Sequence, residues 1–132
     1  MIEVGQVEVL TYQVVAGDLA SAFSIDEGDQ FPPVLATARL VALMELTAAR
    51  LLRPLLGPGQ LSVGVMVEIT HTAPTPPGAA VEVRATYAGL EGKLHRFTIE
   101  ATDPGGSIGT CRHTRAIVDP AKIVDRANQR RS

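Results

Sequence analysis

Residues 34–56 read VLATARLVALMELTAARLLRPLL. Leu35, Leu40, Val41, Leu43, Met44, Leu46, Leu51 and Leu52 fall on nearly every side of a helix drawn through this stretch. A helix that is apolar all round is buried, so something must wrap it. It is not a membrane span, because Arg39, Glu45, Arg50 and Arg53 interrupt it. Pro32 and Pro33 stand where such a helix can begin. Pro54 and the Gly57-Pro58-Gly59 cluster end it.

On both sides of the helix the hydrophobic period changes from helical to two. Before it, Val7, Val9 and Thr11 alternate with their neighbours over residues 7–15 as in a strand, and residues 16–30 read as a loop or short irregular helix. After it, Val63, Val65, Val67, Ile69 and His71 share one strand face, with Glu68 and Thr70 on the other. The Ala73-Pro74-Thr75-Pro76-Pro77-Gly78 run breaks that strand. Val81, Val83, Ala85 and Tyr87 mark the next strand, and Glu91-Gly92-Lys93 turns into another carrying Phe97, Ile99 and Ala101. Asp103-Pro104-Gly105-Gly106 leads into a last strand over Ser107 to Val118. Short connections favour antiparallel neighbours. The pattern therefore predicts an α+β hot-dog fold: one long buried helix wrapped by a curved antiparallel sheet of about five strands. A single open sheet leaves edges exposed, so a homodimer is expected.

The chain has 132 residues, 45% of them hydrophobic and 20% charged, which suits one domain with a core of its own. We read that domain as residues 1–125 with a polar tail at 126–132, and the polar stretch beyond Asp119 is expected to be frayed or weakly helical. Five aromatics leave the core to Val, Leu, Ala and Ile. A net charge of -2 offers no basic surplus for nucleic acid. Cys111 is the only cysteine, which excludes an internal disulfide and points to a reducing compartment. Neither a signal peptide nor a membrane span is visible, so a cytoplasmic protein is expected.

Glu45 is the residue hardest to explain by structure, as it is the one acid between Leu35 and Leu56. Burying an unpaired carboxylate costs several kcal/mol. The structural explanation is a salt bridge to Arg39 or Arg50, or an exposed window on the helix, although neither arginine has the favoured spacing of three or four residues. Thr37 lies in the first helical turn, where its hydroxyl ordinarily bonds free backbone groups. It stands eight residues from Glu45, about 12 Å of rise, so the two do not bond directly. His71 closes its strand beside the proline-rich turn, a place where a site can open, though a lone histidine there is more often structural. His95 and His113 lack metal-ligand spacing with it, and no metal site is expected. Gly64 interrupts a valine run and marks a bulge or a close approach by a ligand. There is no phosphate loop, nucleophile elbow or dinucleotide fingerprint.

The blocks Phe31-Pro32-Pro33-Val34-Leu35-Ala36-Thr37, Leu43-Met44-Glu45, Thr70-His71-Thr72-Ala73 and Thr75-Pro76-Pro77-Gly78, in that order and spacing, resemble the fluoroacetyl-CoA thioesterase-like family of hot-dog proteins. The resemblance runs from about Val4 to Asp125. It implies a dimer that cleaves the thioester of an acyl-coenzyme A, with coenzyme A as part of the substrate and no separate cofactor. It further implies catalytic roles for Thr37, Glu45 and His71, and substrate contacts for Gly64, Arg115 and Phe31. The chain departs from the family's fluoroacetyl-CoA enzyme in the acidic segment Ser24 to Gln30 and at Leu46, where that enzyme has apolar gating residues and a bulkier aromatic. Thioester hydrolysis is therefore expected more firmly than action on fluoroacetyl-CoA. His71 is expected to act as base, tuned by Glu45, with Thr37 donating a hydrogen bond or attacking. Arg115 is expected either to hold a phosphate of coenzyme A or to form a salt bridge within the sheet. The competing readings are a non-catalytic acyl-CoA-binding module and, less favoured because no Asp stands within ten residues of His71, an enoyl-CoA hydratase.

Overall fold

The structure, a computed structural model, describes residues 2–131. Strand β1 (Val7–Gln13) is followed by two short 3-10 turns, helix α1 (Thr37–Leu52), and four strands: β2 (Leu61–His71), β3 (Ala80–Glu91), β4 (Leu94–Asp103) and β5 (Gly106–Val118). Helix α2 (Pro120–Gln129) closes the chain. The strands form one sheet in the order β1-β3-β4-β5-β2, and every neighbouring pair is antiparallel. Helix α1 packs against all five strands. This is the expected α+β hot-dog fold.

Three strands carry the alternation read from the sequence. Val81, Val83, Ala85 and Tyr87 of β3, Phe97, Ile99 and Ala101 of β4, and Cys111, His113 and Arg115 of β5 are all buried. They meet Leu40, Leu43, Met44, Ala48, Leu51 and Leu52 of α1 in one core. The β3–β4 hairpin turns at Gly92, whose φ of 63° lies in the left-handed region that favours glycine.

Helix α1 begins later than Pro32 and Pro33. Leu35 is instead extended, bridged to Leu19 and bonded through its N–H to the Thr75 carbonyl, so the helix is capped at Ala36. Its apolar residues do surround it, but within one chain a strip along Ala38, Ala42 and Leu46 stays open, with Leu46 42% exposed.

Two strands differ in phase from the expectation. In β1 the partly buried residues packed on the core are Leu10 and Tyr12, while Val7 and Val9 are exposed. In β2 the register against β5 shifts between Gly64 and Met66. Val65 is the extra residue of a β-bulge, and it reverses the alternation. Val67, Ile69 and His71 keep the shared face, but Val63 and Val65 do not, and Gly64 takes their place toward α1.

The segment after Asp119 is helical. Asp119 caps it by accepting from the Ala121 N–H, and Pro120 fills the first turn. Helix α2 thus runs across the 125/126 position where the polar tail was placed. Among the described residues no helix is long and apolar enough to cross a membrane.

Candidate active site

The start of α1 and the end of β2 bring two of the expected residues together. Thr37 Oγ1 lies 2.7 Å from His71 Nδ1. This closeness depends on Gly109, the β5 partner of His71. A Cβ there would meet the Thr70 carbonyl at 2.9 Å and Leu40 Cδ2 of α1 at 3.4 Å. The loop after His71 is fixed as well. Buried Thr75 donates to Asp103 at 2.8 Å, and its carbonyl accepts from Leu35, two residues before Thr37. The first helical turn is tied down by Arg39, whose Nε is 3.0 Å from Asp18 Oδ1. That carboxylate, 2% exposed, also accepts from the Tyr12 hydroxyl and the Val15 N–H.

Thr37 and His71 line a cleft of about 290 Å³, walled largely by Pro32, Val34, Ala73 and Pro74. His71 Nε2 is buried, with no hydrogen-bond partner among the described residues. When Nδ1 accepts from the hydroxyl, the pair is a base poised against an oxygen nucleophile. Ala36 supplies no side-chain cap to the N–H groups at the helix start, where Thr37 lines the cleft. Helix N-termini of this kind stabilise developing negative charge.

Glu45 belongs to a second cluster. Arg39 pairs with Asp18, so the salt bridge anticipated within α1 does not form there. Glu45 Oε1 instead lies 3.4 Å from Arg115 Nη1 and 4.0 Å from His113 Nε2, both on β5. Arg115 is buried and also donates to the Ser62 hydroxyl and carbonyl, each at 3.0 Å. Its guanidinium thus has partners within the fold, and its salt bridge runs from the sheet to helix α1 instead of within the sheet. Gly64 lies directly beneath the carboxylate, since a Cβ at this position would overlap Glu45 Oε1. The Glu45 side chain keeps 38% of its surface exposed, so this carboxylate is paired yet open to a ligand.

Thr37 with His71, and Glu45 with Gly64 and Arg115, are thus two groupings under one helix. Phe31 is 52% exposed, just before Pro32 of the cleft wall. The sequence reading missed Ser62 and His113, which complete the surroundings of Arg115. His113 stands two residues from Arg115 on one strand face, and that spacing was the available signal. Burial holds His113 below the ordinary histidine range, and the same holds for His95, whose Nδ1 is 2.8 Å from the Tyr87 hydroxyl.

A family model described as fluoroacetyl-CoA-specific thioesterase matches residues 15–121. The fluoroacetyl-CoA thioesterase of Streptantibioticus cattleyicolor is 38% identical over 101 residues, covering 76% of this chain and 73% of that protein. A phenylalanine-to-alanine mutant of the fluoroacetyl-CoA-specific thioesterase FlK, crystallised with fluoroacetate and CoA, superposes with a TM-score of 0.87 at 32% identity. The match covers 92% of this chain and 99% of that one. A thioesterase superfamily member from Thermus thermophilus matches with a TM-score of 0.86 at 28% identity, covering 98% of this chain and 93% of its own.

Proposed function

Because this chain belongs to the fluoroacetyl-CoA-specific thioesterase family, we propose that it hydrolyses the thioester of a small or medium acyl-coenzyme A. The observation that carries this reading is the 2.7 Å contact between Thr37 Oγ1 and His71 Nδ1 at an apolar cleft. His71 takes the proton as an oxygen nucleophile, the Thr37 hydroxyl or a water beside it, attacks the thioester carbonyl. Backbone N–H groups at the start of α1 stabilise the oxyanion, a contribution of about 2.7–4 kcal/mol per donor in such sites. The carbon–sulfur bond then breaks and the proton passes to the departing thiolate. When Thr37 is the nucleophile, a water releases the acid from the acyl-threonine in a second turn of the same steps. Coenzyme A is part of the substrate, and the steps call on no separate cofactor.

Glu45 lies about 12 Å along the helix from Thr37, too far for one carbonyl to touch both. A homodimer resolves this. Strand β2 ends the sheet and exposes Leu61, Val65, Met66 and Val67 on an edge whose backbone groups can pair. The open strip of α1 adds Leu46. A two-fold pairing along β2 covers this surface and sets the Glu45 cluster of one protomer toward the cleft of its partner. The free, buried Cys111 suits the reducing cytoplasm, where we place the enzyme.

Steady-state hydrolysis across an acyl-CoA panel tests the assignment. His71→Ala should lower kcat by about 10²–10⁴-fold, the usual contribution of a positioned base. Equal rates for the two proteins refute the role of His71. A wild type that binds acyl-CoA without turnover would be a binding module, and one that only adds water to crotonyl-CoA would be a hydratase.

A further inference from the structure

We propose that His113 is a positioning residue for this hydrolysis: its neutral imidazole fixes the Arg115 guanidinium and, through it, the Glu45 carboxylate. The proposal rests on the thioesterase reading and concerns a residue that contacts neither Thr37 nor His71 in the hydrogen-bond network.

The geometry specifies one state of the ring. His113 is 1% exposed, with Nδ1 2.7 Å from the Met66 carbonyl and Nε2 3.1 Å from Arg115 Nη1. A carbonyl can only accept, so Nδ1 carries the hydrogen and donates. A guanidinium can only donate, so Nε2 carries the lone pair and accepts. Both contacts are satisfied only by the neutral Nδ1–H tautomer. A proton on Nε2 would point one N–H at another, and the 4.0 Å separation from Glu45 Oε1 is too long for a hydrogen bond to repay it.

The ring is held on its other sides too. Phe97 packs against it with centroids 6.1 Å apart, and the absent Cβ of Gly64 would come within 3.3 Å of Cε1. Met66 is the residue at which the β2–β5 register resumes after the bulge, so the bulge itself orients the ring. Arg115 is then bound at all three nitrogens: Nε and Nη2 by Ser62, and Nη1 by His113. Only Nη1 also reaches Glu45, at a long 3.4 Å. Glu45 is partly exposed and free to turn outward, so a fixed Arg115 decides where its carboxylate rests.

Three substitutions separate the two halves of this relay. Gln at position 113 places an amide oxygen near the Nε2 position and keeps the acceptor for Arg115. Asn keeps a donor for Met66 but withdraws the acceptor, and Phe removes both. His113→Asn and His113→Phe should lower kcat by about 10–100-fold with little change in KM, the scale of loss for a small misplacement of a working group. His113→Gln should stay within about threefold of wild type, and in a Glu45→Gln background His113→Phe should add less than about twofold. Nitrogen-15 spectra of the wild-type imidazole should show Nδ1 protonated and Nε2 bare. Losses that multiply fully in the Glu45→Gln background, a Gln variant no better than Phe, or an Nε2–H tautomer would each overturn the role of His113 and leave the thioesterase reading standing. A wild type with no turnover would overturn both.

Discussion

Gly64→Ala should separate activity from stability, because the side chain that the added methyl group overlaps is free to move. Gly64 is not among the glycines with positive φ, so alanine suits its backbone. The added Cβ would overlap Glu45 Oε1 and stand 3.3 Å from both Glu45 Cδ and His113 Cε1. His113 is buried and bonded at both nitrogens, so Glu45 must yield. It is able to, because its side chain is 38% exposed and held by one contact of 3.4 Å. A partly exposed ion pair of this kind contributes about 0.2–1 kcal/mol. Replacing glycine by alanine returns about 0.4–1 kcal/mol by narrowing the unfolded ensemble. The two nearly cancel, so the urea midpoint should move by less than about 1 kcal/mol equivalent. The catalytic effect does not cancel. A carboxylate swung away from its working position forfeits most of a positioned group's contribution, about 10²-fold in kcat. Thiol release from acetyl-CoA, followed with a chromogenic disulfide, reads this loss. Glu45→Gln should lose a similar factor, and the double variant little more than either single one. If Gly64→Ala turns over at the wild-type rate with unchanged KM, Glu45 is not working from the position beside Arg115. If the losses multiply, Gly64 acts by some route other than Glu45.

Three further outcomes follow from the same structure. Asp18→Ala should cost about 2–3 kcal/mol in urea unfolding, because it strips partners from Tyr12, Val15 and Arg39 at a nearly closed site; an unchanged midpoint would show that the cluster is not holding the helix start. Burial lowers the pKa of both His95 and His113, so below about pH 6.5 the unfolded chain binds protons that the folded one refuses. Stability is therefore complete above that value and falls with acidification; urea midpoints at pH 7.5 and 5.5 should show it, with a smaller fall when both residues are glutamine. Finally, the proposed two-fold dimer predicts that the Thr37→Ala and Glu45→Gln proteins, each nearly inactive, regain activity when refolded together, because in that arrangement a mixed dimer holds one intact Thr37–Glu45 pairing across the interface. No recovery in a verified mixed dimer would place the working pair within one protomer.

Residues buried on one face of the sheet announce themselves. In β3 and β4 one side packs on α1 and the other is more open, so alternation in the chain is alternation in space; in β5 Cys111, His113 and Arg115 keep that phase, although Thr114 between them is buried too. Strand β1 is an edge, and both of its faces carry apolar residues; its pairing with β3, remote in sequence, selects Leu10 and Tyr12 over Val7 and Val9. The bulge was legible as an interruption at Gly64, but a two-residue period cannot say which neighbour is the extra one. For α2 the signal was present in Asp119-Pro120, a cap followed by a first-turn proline, and the polar composition beyond it obscured the signal. The resemblance to a known family marked Thr37, Glu45 and His71, but helix spacing looked for partners of Glu45 within four residues. Its partner Arg115 lies 70 residues away.

The single inserted residue in β2 explains why both groupings lie under one helix. Counting by two from His71 reaches Ile69, Val67 and then Val65, so an unbroken strand that faces His71 toward α1 turns Gly64 and Ser62 to solvent. Shifting the whole strand by one residue would recover Gly64 and lose His71. Only an extra residue between them lets both halves face inward, and the register break lies between Gly64 and Met66. The consequence is chemical as well as geometric. One half of the strand delivers the imidazole that meets Thr37; the other delivers the bare glycine over which Glu45 lies and the serine that holds Arg115. The Met66 carbonyl at the junction holds His113. A carboxylate in an apolar helix, otherwise a cost to the fold, is tolerated because this break in the strand builds a partnered and partly open place for it.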